Sequence, residues 1–136
     1  MCAQMQHAVC EDGTVRRDMD LIRDVLLSIE KDARMDGSQW LLFSPEEMEI
    51  TGHSLQEIGY NLNLLIEADF VKGQGEVEML PVVSRLTWKG HEFPDNIRDR
   101  GVWETVKAQT ARFSSVGLGV VAAIAEAEIK KRLGLP

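Results

Sequence analysis

Apolar residues recur at three and four along DMDLIRDVLLSIEKDA, where Ile22, Val25, Leu26, Ile29 and Ala33 form one stripe and charges of both signs fill the other side. That period predicts an amphipathic helix starting near Asp18 and ending in the turn-forming MDGS of residues 35 to 38. The short apolar run QWLLF, residues 39 to 43, predicts a small strand. Two capping boxes follow, Ser44-Pro-Glu-Glu47 and Ser54-Leu-Gln-Glu57, each placing Ser at the N-cap and Glu at the third helical position. The first opens one or two turns before Thr51-Gly52. The second opens a longer helix, with Leu55, Ile58, Leu62, Leu65 and Ile66 on one side and Gln56, Gly59, Tyr60, Asn63 and Glu67 on the other.

Beyond that helix, FVKG (70 to 73) and VVSRLT (82 to 87) predict a β-hairpin, with GQGEVEMLP as a flexible tip. Thr87 is placed to cap a helix over WKGHEF. Pro94 lacks an N–H and its ring blocks the preceding turn, so a kink or a new start is expected there. Asp95 to Arg112 reads as largely helical, interrupted near Gly101, with Ile97, Val102, Trp103 and Val106 available for packing. The last segment, VGLGVVAAIAEAEIKKRLG, brings Val120, Val121, Ile124 and Ile129 near one side and ends in Lys130, Lys131 and Arg132, where cations suit the helix dipole. Gly119, Ala123 and Ala127 repeat at four, a spacing that suits close helix packing within the chain or across a dimer.

Helix, short strand, helical turn, longer helix, strand, loop, strand is the order of a winged helix, so the expected fold class is α+β, mostly α, with a hairpin wing. A chain of 136 residues holds one ordinary core. The expected organisation is an N-terminal tail over 1–14, a winged-helix-like domain over 15–100 and a C-terminal helical extension over 101–136.

The stretches RRDMDLIRDVLLSIE (16 to 30), GHSLQEIGYNLNLLIEADFV (52 to 71) and RLTWKGHEFPDNIRDRGVWETVK (85 to 107) resemble a bacterial and prophage-borne family catalogued as a domain of unknown function. The likeness covers most of residues 16 to 135. It implies a winged-helix-like domain and brings no catalytic residues with it. Members begin close to the RDMDLIR motif, so the resemblance implies that Val15, the internal reading of a GTG codon, is the initiator. Pro94 departs from the family pattern, in which similar sequences continue the helix with Leu.

Charge narrows the functions that this architecture could carry. The net charge of -7 disfavours a generic nucleic-acid or acidic-membrane binder, since such proteins draw affinity from Lys and Arg neutralising phosphates. Residues 54 to 100 hold five Lys and Arg against eight Asp and Glu. Within them Gln56 and Asn63 can each pair with an adenine edge, Tyr60 can meet phosphate or a base, and Lys72, Arg85 and Lys89 are the nearest cations. These six are the candidate nucleic-acid-binding residues; the alternative is a solvated polar face, with Glu67 opposing phosphate. Arg16, Arg17, Arg23, Lys31 and Arg34 on or beside the first helix are interleaved with acids at ion-pairing spacing.

Cys2, His7 and Cys10 fall short of the paired ligands of a zinc site, and both cysteines lie in the first ten residues, which fits a reducing cytoplasm. His53 and His91 read as surface histidines; no HExxH, phosphate-binding Gly loop or paired CxxC is present, so no enzyme, metal, cofactor or small-molecule ligand is expected. The charge-free stretch from Phe113 to Ala125 is too short to span a bilayer. Two functions are therefore expected in competition. One is a DNA-binding transcriptional regulator of phage or mobile-element origin acting on double-stranded DNA. The other is a protein-interaction module that has lost DNA binding and dimerises through the C-terminal helix.

Overall fold

The computed structural model describes residues 17–77, 80–112 and 117–136. The expected tail, Val15 and the Cys2, His7 and Cys10 group lie outside the described residues. The fold is mostly helical α+β, with six helices and one three-stranded antiparallel sheet among the described residues. Two compact units divide between His91 and Glu92.

In the first unit α1 (Met19–Lys31) is capped by Asp18, whose carboxylate accepts from Leu21 N–H at 3.1 Å. Leu21, Ile22, Val25, Leu26 and Ile29 are buried as the apolar period requires, but Ala33 lies exposed beyond the helix end. Strand β1 (Asp36–Leu42) takes in Asp36, Gly37 and Ser38, which composition assigned to a turn; pairing of Asp36 with Arg85 overrides the local turn preference. Both capping boxes form. Ser44 caps α2 (Pro45–Met48) and Ser54 caps α3 (Leu55–Glu67), each with the reciprocal Glu bond. Ile58, Leu62 and Leu65 are buried on α3, which packs against α1 and the sheet, whereas Leu55 in its first turn is 41% exposed and Ile66 half-buried.

The hairpin strands β2 (Val71–Val77) and β3 (Leu80–Leu86) are longer than the sequence pattern indicates, and Val77 pairs with Leu80. The expected flexible tip over 73 to 81 is therefore corrected: residues 73 to 77 and 80 to 81 belong to the strands. Gly73 and Gly75 weakened the strand pattern, but backbone pairing needs no side chain. Sheet order is β1-β3-β2, with β3 central.

Helix α3 ends in a left-handed turn at Asp69, where φ is 66°. Phe70 N–H reaches back to Leu65 C=O at 2.9 Å and Asp69 N–H to Ile66 C=O at 3.1 Å, so the last carbonyls are satisfied as the chain turns into β2. Thr87 closes the other side of this junction: its N–H donates to Phe70 C=O, its hydroxyl donates to Asp69 C=O at 2.6 Å and accepts from Gly90 N–H at 3.0 Å. That last bond caps α4 (Trp88–Ile97).

Helix α4 runs through Pro94, so of the kink or new start expected there the new start is corrected. The ring forfeits one hydrogen bond, yet Phe93, Pro94 and Ile97 are buried and the helix continues to Ile97. The break comes instead at Asp99, whose carboxylate accepts from Val102 N–H and caps α5 (Arg100–Thr110), so Gly101 falls inside the first turn.

In the second unit α5 buries Val102, Trp103 and Val106 and packs against α6 (Leu118–Arg132). The buried side of α6 is Val121, Ala125 and Glu128; Val120 is 53% exposed, contrary to the expected stripe, and Ile124 and Ile129 are half-buried. Arg132 ties the two helices by bonding Glu128 at 2.8 Å and Thr105 Oγ1 at 3.3 Å and lying 3.8 Å from Asp99. No helix among the described residues is long and apolar enough to cross a membrane.

A Cβ on Gly90 would stand 1.9 Å from Phe70 O, a backbone atom with no freedom to yield. Gly90→Ala is expected to destabilise the protein by about 3 kcal/mol or more, the upper range for overpacking, read as a lower urea midpoint.

Candidate nucleic-acid interface

The outward side of α3 carries Gln56, Tyr60 and Asn63, brought into line by spacings of four and three. Gln56 and Tyr60 are exposed and Asn63 is half-buried. No side-chain partner holds Gln56 or Tyr60 among the described residues, but Asn63 donates from Nδ2 to Gly59 C=O at 3.0 Å.

Three cations gather where α3 ends. Lys72 and Arg85 are directly opposed across β2 and β3, so their side chains leave the same face of the sheet. Lys72 Nζ lies 3.7 Å from Asp69, and Lys89 Nζ lies 3.4 Å from Ala68 C=O and 5.1 Å from the centroid of the Phe70 ring. Arg85 donates to Leu86 C=O at 2.9 Å, and its stem lies over Gly37, where a Cβ would come within 3.1 Å of Cδ. All three residues are exposed. Part of their work is structural, because a cation at a helix C-terminus meets the negative end of the dipole. All three stay exposed where α3 ends, with Asp69 beside Lys72 and Asp36 opposite Arg85 in the sheet.

The cations of α1 do not join it. Arg34 is held by both Asp32 and Glu47, and its guanidinium pulls each of those carboxyls below the usual carboxylate range. Lys31 lies 3.5 Å from Glu49 and Arg23 lies 3.9 Å from Asp24. Acids nearby take up these cations, though Arg23 with Asp24, Arg34 with Asp32 and the pairs to Glu47 and Glu49 depart from the expected three and four spacing; Arg16 lies outside the described residues.

Beneath the first turns of α3 lies a buried polar group that periodicity did not reveal. Asn61, fully buried, accepts from Asp18 N–H at 2.8 Å and donates to Glu57 C=O at 2.9 Å. Glu57 accepts from Ser54 N–H at 3.3 Å through one oxygen, and its other oxygen lies 2.8 Å from His53 Nδ1. His53 is thus largely enclosed, a correction to its reading as a surface histidine, whereas His91 is exposed. The available signal was Asn61 itself, a polar residue one place before Leu62 on the flank of the apolar stripe. Its partner lies 43 residues away, a distance that no local pattern encodes. Among the described residues no three His, Cys, Asp or Glu side chains are arranged to hold a metal ion.

The second Asp18 carboxylate oxygen is buried without a hydrogen-bond partner among the described residues. Desolvation pushes the Asp18 carboxyl up from the ordinary 3.8, against the lowering effects of the Leu21 N–H and the nearby His53.

A family model described as "Hypothetical protein (DUF2513)" matches residues 16–117. A Haemophilus influenzae protein named "Uncharacterized protein" is 31% identical over 109 residues, covering 78% of this chain and 86% of that protein. No solved structure matches the chain significantly.

Because the Asp18 pKa is raised, the folded protein holds this proton more tightly than the unfolded chain does. Stability therefore falls as pH rises from about the ordinary value of 3.8 through the higher folded value. Asp18→Asn keeps an N-capping oxygen and removes the ionisation. It is expected to flatten the dependence of the melting temperature on pH across that window and to hold or raise stability at pH 7; a loss of stability at pH 7 with an unchanged pH profile would contradict this.

Proposed function

The chain belongs to the DUF2513 family, and on that premise we propose that it is a non-enzymatic winged-helix protein that binds double-stranded DNA as a regulator of phage or mobile-element origin. In this reading α3 is the helix offered to the major groove and the β2–β3 hairpin is the wing. The observation that carries the reading is the exposure of Lys72, Arg85 and Lys89 at the C-terminal end of α3, the helix whose first turns carry the uncommitted Gln56 and Tyr60. The element order and β1-β3-β2 sheet order support the winged-helix reading. A chain acidic overall then still presents a local positive island to phosphate. With only three such cations the affinity is modest and readily screened, since each neutralised phosphate contributes through counterion release.

Fluorescence anisotropy with mixed duplex DNA tests this. Log affinity is expected to fall with log salt at a slope of about -2 to -3, and Lys72→Ala is expected to reduce that slope by about 1. Absence of binding at low salt would end the DNA reading.

A protein-interaction role is the second reading, supported by the outward side of α6, where Gly119, Val120, Ala123 and Ala127 are all exposed. Self-association through this face predicts that Ala123→Arg lowers the apparent mass on size exclusion at micromolar concentration. A wild-type chain that already elutes as a monomer would remove it.

A further inference from the structure

The three polar side chains along α3 are not equivalent, and the difference lies in what already holds each amide or hydroxyl. Gln56 is the second residue of the helix, in the turn nearest its N-terminus, with an exposed carboxamide that no described side chain engages. A free carboxamide offers an acceptor and a donor side by side, the pattern that matches N6–H and N7 of adenine in the major groove. Asn63, two turns further on, has one N–H committed to Gly59 C=O four residues earlier. That bond draws the amide back along the helix wall, and the residue is half-buried, so its remaining N–H and its oxygen are less available to a base edge than those of Gln56. Tyr60 stands between them, 41% exposed, with a hydroxyl able to meet a phosphate oxygen.

Resting on the DNA-binding reading above, we propose that Gln56 is the base-reading residue of α3 and selects an adenine, while Asn63 serves the helix itself and Tyr60 positions the backbone. Base selection is thereby confined to the first turn. This follows the general tendency of groove-bound helices to read with their N-terminal residues. The rest of the contact is the positive island at the other end of α3, which contributes affinity without sequence information. The expected binding site is short, with one dominant A·T pair on each half-site or monomer footprint.

The test is selection of binding sites from a randomised duplex pool with the full chain, followed by anisotropy on the selected site and its single-base variants. Wild type is expected to prefer one adenine by about tenfold or more. Gln56→Ala should abolish that preference while keeping the salt slope, and Gln56→Arg should move it toward guanine. Asn63→Ala should keep the adenine preference, with circular dichroism reporting any change in the helix. A wild-type preference that survives Gln56→Ala, or vanishes in a folded Asn63→Ala, overturns the assignment and leaves DNA binding standing. Salt-dependent binding with no base preference does the same. No binding at low salt removes both.

Discussion

Much of the first unit depends on the close approach of α4 to the backbone at Phe70. Gly90 leaves room for the Phe70 carbonyl, and Thr87 donates to Asp69 C=O while accepting from Gly90 N–H. One residue, through its hydroxyl and its own N–H, thus joins the end of α3, the entry to β2, the end of β3 and the cap of α4. The left-handed turn at Asp69 completes the junction by satisfying the last carbonyls of α3 as the chain reverses. Because Lys72, Arg85 and Lys89 are attached to these segments, the same geometry that terminates the helix also collects its neighbouring cations.

The seating of α3 itself rests on different physics. Leu62, Leu65 and Ile58 supply apolar burial of the usual order, about 1.5 to 3 kcal/mol for each fully buried side chain. Asn61, Asp18 and Glu57 add directional bonds that relate the start of α1 to one rotation of α3. Apolar contacts tolerate small slippage, whereas a buried amide bonded at both ends does not. Rotation of α3 about its axis is what determines which side chains it offers outward, so the buried amide bears directly on the exposed Gln56 and Tyr60.

Electrostatics is decided pair by pair rather than by net charge. Along α1 and α2 each cation with an assigned ion pair meets an acid within its own or the adjoining element, as at Arg34 with Asp32 and Glu47. At the hairpin base Arg85 and Lys89 are instead bonded to backbone carbonyls, and among the described residues no carboxylate pairs with either. Lys72 has Asp69 at 3.7 Å, an exposed pair that water and salt screen.

The caps at Ser44 and Ser54 and the apolar stripe of α1 were legible in the sequence, because each is made between residues three or four apart whose spacing is set by the helix itself. The length of β1 and of the hairpin was not, since pairing with β3 recruits Asp36 to Ser38 and Gln74 to Val77 despite their turn-like composition. Pro94 was legible as a missing donor, but burial around it decided that the helix would continue. On α3 the sequence determined the apolar side and its polar opposite; Asn61 went unseen because its partner Asp18 is reached only when two helices pack. Lys72, Arg85 and Lys89 were visible as isolated cations. Only strand register and the turn at Asp69 bring them to one place, since neighbourhood among residues far apart in the chain is a property of the fold.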